Sequence, residues 1–262
     1  MTDYQPFESG SWRGVHHCGF VVPGGDLDAW LERLAATARR KTASRWIAAP
    51  AEDNPWFVKV LKGASDHDTL LNRFKWRFRP SRMLRTWRIS LELQSAGFGC
   101  PEVQLAARKR TWRPSGWPTD VLVMSPVAGQ MVQTLLQTSD TGKVLDAVAH
   151  ELARFHAAGF AHGDCLPGNL FLEDDGHLNF IDNDRTMHTH AWDRQPRIRR
   201  NLVQFAFHLF PKNLASREQT RQFLCKYAEY ACWSKEFANR ELTRIWRWID
   251  QRVANESTPS AK

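Results

Sequence analysis

No stretch of this sequence approaches the roughly 18 uninterrupted apolar residues that a membrane-spanning helix needs, and Met1 to Gly10 holds no basic stretch leading into an apolar run. A cytoplasmic location is therefore expected. The five cysteines (Cys18, Cys100, Cys165, Cys225, Cys232) are odd in number and scattered, with no C-x-x-C pair to suggest a zinc site or a redox couple, so reduced thiols are expected. Neither an internal repeat nor a low-complexity tract is present. What is there is ordinary for a globular chain: 262 residues, 42% hydrophobic and 24% charged, enough for two modest domains or one large one.

Lys and Arg number 36 against 28 Asp and Glu, a net charge of +8 that predicts attraction to something anionic: a nucleotide, a phosphorylated sugar, nucleic acid or an acidic membrane surface. Basic residues alternate with aromatic ones in Arg73-Phe74-Lys75-Trp76-Arg77-Phe78-Arg79 and in Arg244-Ile245-Trp246-Arg247-Trp248. Tryptophan beside arginine suits a lipid interface, while core packing is the ordinary role of each tryptophan taken singly.

Apolar spacing predicts a helix over Asp28 to Arg40 and a shorter, strand-like stretch over Thr42 to Ala49. The turn-rich Ala51-Glu52-Asp53-Asn54-Pro55 then leads into Trp56 to Leu61, completing a hairpin. Its second strand carries Lys59 among apolar and β-branched neighbours, where a lysine either meets an anion or is solvated on an edge strand. Ser81 to Ala96 reads as a helix capped by Ser81 and stopped by Gly97, with Leu84, Trp87, Leu91 and Leu93 available for burial. Asp120 to Met124 reads as a buried strand, and Ser125 to Gly129 as a connector between two lobes. Lys143 to Ala158 is a helix ended by Gly159; beyond the central segment, Asn201 to Phe210 and Arg217 to Val253 read as helical, with Pro211 between them.

Between these helices lies His162-Gly163-Asp164-Cys165-Leu166-Pro167-Gly168-Asn169, then the turn Glu173 to His177, then a strand ending in Asp182-Asn183-Asp184-Arg185. Phosphoryl transfer needs a carboxylate near the attacking hydroxyl and oxygen ligands for a magnesium ion on the nucleotide phosphates. H-x-D-x-x-x-x-N, a hairpin and a further Asp supply those groups. Asp164 and Asn169 are five positions apart across a loop with Pro167 and Gly168, so their side chains can face one cleft. His162 is either a structural histidine bonded to backbone or a general base, with the neighbouring carboxylate the better base. Cys165 reads as a plain loop residue or a redox-sensitive one.

Phe57-Val58-Lys59, Arg85-Thr86-Trp87-Arg88 followed by Gly97 and Pro101, Phe155 to Asp164, and Ile181-Asp182-Asn183-Asp184-Arg185 together resemble the lipopolysaccharide core kinases of the Kdo and heptose kinase type, over about Lys41 to Phe210. Arg199 to Gln204 is similar to the family's Arg-Asp-Leu helix start, with Asn201 in place of Asp. The resemblance implies an α+β, two-lobed protein-kinase-like fold: a small N-lobe, residues 1–124, with an antiparallel sheet and one main helix; a mostly helical C-lobe, 125–254; and a flexible tail, 255–262. It implies Asp164 as the base, Asn169 and Asp182 as magnesium ligands, and Lys59, Lys41, Ser125 and Val127 as ATP contacts. Its acceptor would be a sugar hydroxyl on a lipopolysaccharide inner-core precursor, reached at the cytoplasmic face of the inner membrane with peripheral contact to anionic lipid. No specific nucleic-acid partner is implied.

Two features depart from the pattern. Arg40-Lys41-Thr42-Ala43-Ser44-Arg45, where a kinase has its glycine-rich loop, holds no glycine, so phosphate contacts there would fall to Lys and Ser side chains. The helix glutamate expected to pair with Lys59 falls at Thr86, and Glu92 stands six positions further on. The competing readings are an aminoglycoside- or choline-kinase-like phosphotransferase, a protein kinase, a non-catalytic pseudokinase and a nucleic-acid-binding protein. An Arg- and Trp-rich C-terminal region disfavours a cationic acceptor, and no Ala-Pro-Glu segment follows Arg185.

Overall fold

The computed structural model describes residues 3–38, 42–50, 54–62, 80–110 and 118–257. Lys41, the turn residues Ala51 to Asp53 and the basic–aromatic run Arg73 to Arg79 lie outside the described residues. The chain divides into two compact units, Met1–Glu92 with Pro101–Val127, and Leu93–Cys100 with Ala128–Lys262.

The first unit is built on a six-stranded antiparallel sheet of β1 (Tyr4–Ser9), β2 (Trp12–His17), β3 (Thr42–Ile47), β4 (Trp56–Lys62), β5 (Val103–Lys109) and β6 (Thr119–Met124), in the order β1-β2-β5-β6-β4-β3. The period-2 alternation of side chains sends successive residues of each strand to opposite faces. Val58, Val60, Val121 and Val123 pack with Trp30, Leu31 and Leu34 of α1 (Leu27–Thr37). Leu61, Leu122 and Met124 pack on the other face with Met83 of α2 (Arg82–Ser95). Helix α1 starts where Asp26 accepts the Ala29 amide at 3.0 Å, and α2 where the Ser81 hydroxyl accepts that of Leu84 at 3.2 Å. The buried face of α2 differs from the expected one: Met83, Thr86, Ile89, Ser90 and Leu93 are buried, whereas Leu84, Trp87 and Leu91 are only half-buried. Hydropathy misplaces this stripe because Thr86 satisfies its own hydroxyl on the Arg82 carbonyl, 2.9 Å away, and so can be buried.

In the second unit β7 (Gln130–Met131), α3 (Val132–Thr138) and α4 (Thr141–Ala157) precede the short strands β8 (Phe160–Ala161), β9 (Leu170–Leu172), β10 (Leu178–Phe180) and β11 (Met187–His188). Asp140 caps α4 by accepting the Gly142 amide at 3.0 Å, and Gly159 at φ +88° ends it, a conformation that a β-carbon would oppose. Three helices complete the unit: α5 (Arg194–Leu209), α6 (Arg217–Tyr230) and α7 (Lys235–Ser257). The stretch expected as one helical region from Arg217 to Val253 is therefore two helices, parted near Cys232 at φ 51°. Helix α5 begins seven residues before the expected Asn201, since its charged first turns carry little apolar signal and Pro196 is tolerated there.

The packing beneath β8 to β10 is aromatic. Phe155 stacks on Phe180 at 4.2 Å, and Phe98 meets Phe155, Phe160 and Phe180 edge-on at 5.3, 6.0 and 6.2 Å. Such pairs contribute about 0.5–1.5 kcal/mol each beyond the area they bury. They give the loop from His162 to Asn169 a rigid floor, reinforced by the Phe180 amide donating to the Gly99 carbonyl at 2.8 Å.

Candidate active site

His162 follows β8 directly and is 1% exposed. Its Nδ1 accepts the Asp164 amide at 3.1 Å, which fixes the proton on Nε2, and Nε2 donates to the Ile181 carbonyl at 2.9 Å. The ring thus ties the loop carrying Asp164 to the residue before Asp182. Burial holds its pKa below the ordinary histidine value, so it stays neutral and keeps both bonds. Of the two roles weighed for His162, backbone bonding matches this geometry.

Asn169 stands in a single 3-10 turn, Pro167–Asn169. Its Nδ2 donates to the Asp164 carbonyl at 2.8 Å, and its own carbonyl accepts the Ile181 amide at 3.0 Å. Asp182 then takes a left-handed backbone conformation, φ 57° and ψ 46°. That costs a non-glycine residue on the order of 1 kcal/mol and persists only where neighbours impose it. Here Ile181 is bonded at both its amide and its carbonyl, and on the far side the Asn183 amide group donates to the Phe180 carbonyl at 2.6 Å. Gly163 completes the fit: a β-carbon there would stand 2.0 Å from Cβ of Arg185, so only glycine lets the two segments close.

A buried polar relay supports the loop from behind. Asn201, 2% exposed on α5, accepts the His162 amide at 2.9 Å through Oδ1 and donates through Nδ2 to the His162 carbonyl. The same Oδ1 accepts from Nε2 of His156 at 3.0 Å, leaving Nδ1 of His156 to accept the Tyr227 hydroxyl at 2.8 Å. Full burial lowers the pKa of His156 to about 4 and raises that of the Tyr227 phenol, so each stays neutral. An aspartate at 201 could accept but not donate. The asparagine therefore satisfies the His162 carbonyl without burying a charge.

Asp164, Asn169 and the Ile181–Asp182 step are thus brought together within the second unit. Lys59, Ser125 and Val127 belong to the first. Lys59 is half-buried on β4, next to the edge strand β3 rather than on the edge itself, and opposite Ser44 and Leu122. Ser125 donates its amide to the Glu102 carbonyl at 2.9 Å, and its hydroxyl accepts from Gln104 at 2.9 Å. Lys41 lies outside the described residues. Cys165 is buried, and desolvation together with the adjacent Asp164 pushes its thiol up to about 12, which rules out a reactive thiolate. Sequence reading missed the clamp by Asn201, the Tyr227–His156 bond and the contact of Gln204 with Asp164; only the substitution at 201 marked this face of α5.

Among the described residues no group of three His, Cys, Asp or Glu side chains is arranged to hold a metal ion. Magnesium does not require one, since it is usually held by one or two carboxylates with phosphate oxygens and water. The residues present fit that mode: Asn169 spends its amide nitrogen on the Asp164 carbonyl, so its Oδ1 and the Asp182 carboxylate would be the oxygen donors. A carboxylate that can receive a hydroxyl proton beside two hard oxygen donors is what phosphoryl transfer asks of a protein.

Compared with known proteins, the chain superposes on the structure described as WaaP in complex with acyl carrier protein with a TM-score of 0.56 at 16% identity, covering 86% of this chain and 92% of that one. A crystal structure of WbdD matches with a TM-score of 0.46 at 18% identity over 80% of this chain and 50% of its own. No curated protein matches by sequence. The WaaP likeness bears out the expected two-lobed protein-kinase-like fold. The model of the lipopolysaccharide kinase (Kdo/WaaP) family matches residues 27–227, a span that takes in every element from α1 to most of α6. With three-quarters of the chain so matched and the fold in agreement, this protein is a kinase belonging to the lipopolysaccharide kinase (Kdo/WaaP) family.

Proposed function

We propose that the chain is an ATP- and magnesium-dependent kinase that phosphorylates a sugar hydroxyl, on Kdo or heptose, of a lipopolysaccharide inner-core precursor. The observation that carries this reading is the hydrogen-bonded unit of His162, Asp164 and Asn169 locked to the left-handed Asp182. Asp164 receives the acceptor's hydroxyl proton. Asn169 and Asp182 hold magnesium, which when bound neutralises charge on the nucleotide phosphates. Lys59 pairs with the α and β phosphates, while Lys41, Ser125 and Val127 line the nucleotide's place. In this reading residues 1–124 are the nucleotide-binding lobe, and 125–254 carry the catalytic loop, the metal site and the acceptor site.

The acceptor is part of a lipid, and a net charge of +8 favours an anionic, phosphorylated one. Among the described residues no helix is long and apolar enough to cross a membrane. In this reading contact is peripheral, at the cytoplasmic face, and Trp192 and Trp248, 78% and 42% exposed, supply interfacial side chains. Flotation with anionic vesicles at low salt tests it; a protein that stays at the bottom of the gradient loses this part of the reading.

The reaction is tested by magnesium-dependent transfer of the γ-phosphate of labelled ATP to purified lipopolysaccharide cores, protein substrates and aminoglycosides, with Asp164→Ala alongside. Label on the core alone, abolished by the substitution, is the expected result. Label on an aminoglycoside or a protein instead would replace the acceptor, and absence of both transfer and ATP binding would make the chain a pseudokinase.

A further inference from the structure

Gln204 lies one helical turn beyond Asn201 on α5, and its Nε2 donates to Oδ1 of Asp164 at 3.4 Å. The residue is 8% exposed, yet its Oε1 is buried with no hydrogen-bond partner among the described residues. A buried acceptor left unmet is a standing cost that a methionine of similar volume would avoid. The amide is half used in the state described, with its idle half next to the group that changes protonation during the proposed reaction.

We propose that Gln204 is a positioning residue that holds Asp164 in both of its protonation states. This rests on the reading of Asp164 as the base. Before transfer the carboxylate can only accept, and Nε2 supplies the donor. In transfer, the hydroxyl oxygen of the acceptor bonds to the γ-phosphorus of ATP, the bond from that phosphorus to the nucleoside diphosphate breaks with its electron pair, and the hydroxyl proton moves to Asp164. The resulting carboxylic acid needs an acceptor for its O–H. Half a turn about the terminal torsion of Gln204 exchanges Nε2 for Oε1 and provides one. Asn201, the other amide on this face, is committed to His162 at both its nitrogen and its oxygen.

Steady-state kinetics with ATP, magnesium and purified lipopolysaccharide core test the proposal in Gln204→Met and Gln204→Glu, with Asp164→Asn in parallel. Gln204→Met is expected to lower kcat by about tenfold or more with KM for ATP unchanged, since small misplacements of a reacting group are that costly. Gln204→Glu keeps the length of the side chain but sets a second carboxylate against Asp164, and is expected to lower kcat at least as far as Gln204→Met, again with KM for ATP unchanged. A Gln204→Met enzyme within twofold of the parent, with Asp164→Asn inactive, overturns the role of Gln204 and leaves the base reading standing. Parental turnover in Asp164→Asn removes the base reading and this proposal with it. Should Gln204→Met lack a cooperative melt, a Gln204→Glu enzyme with kcat within twofold of the parent overturns the proposal by itself.

Discussion

Asp182 shows how one backbone angle can be separated from the side chain it carries. Asparagine tolerates the left-handed region about as well as aspartate but brings no charge. Asp182→Asn is therefore expected to keep its melting temperature while losing about a hundredfold or more in transfer rate, read by paired thermal and kinetic assays. Gly163 predicts the reverse pairing. Gly163→Ala forces the Arg185 segment away and is expected to cost about 1–3 kcal/mol in denaturant titration, together with activity. His156 sets a pH dependence. Its pKa is about 4 folded against 6.5 ordinarily, so as pH falls from 6.5 toward 4 the unfolded chain takes up a proton that the folded chain refuses. Stability present above 6.5 is lost across that window by about 3 kcal/mol, and His162, also lowered, adds in the same direction. Urea titrations at several pH values should show the loss shrinking in His156→Gln.

At the scale of elements, α5 is fastened at two places by different chemistry. Asn201 fixes it to the loop that begins at His162, and Arg199, only 15% exposed, fixes it to Glu241 of α7 at 2.6 Å. Glu241 also receives Arg244 at 2.8 Å. Removing the carboxylate would leave Arg199 buried and unpaired, so Glu241→Ala is expected to destabilise by about 3 kcal/mol in chemical denaturation, more than Glu241→Gln. Beyond the substitution at 201, none of these contacts was legible beforehand. The run Arg194 to Arg200 offers one apolar residue, Ile198, to a periodicity search, and Gln204 looks like any polar helix residue until Asp164 is found beside it. The loop from His162 to Asn169 was legible as a unit because its spacing is chemical rather than hydrophobic: five positions let the Asn169 side chain bond the Asp164 carbonyl. Helix α2 was legible in its bounds but not in its buried face, since Thr86 hides its polarity on the helix backbone.

For the molecule as a whole, the positive charge ties affinity to ionic strength. KM for an anionic core acceptor is expected to rise severalfold between low and physiological salt, and a neutral sugar acceptor should show no such trend. The five thiols divide in the same global way: Cys18, Cys225 and Cys232 are exposed and should label readily in native protein, Cys100 is half-buried, and Cys165 should label only on unfolding. One bond described above also gives the fold a clock. The amide proton of His162 is held by the side chain of Asn201 rather than by a strand partner, and it is buried. Its exchange with deuterium therefore waits on the departure of α5 from the loop. A single slow proton, followed by mass or magnetic resonance, would time how often the segment from His162 to Asn169 loses its support.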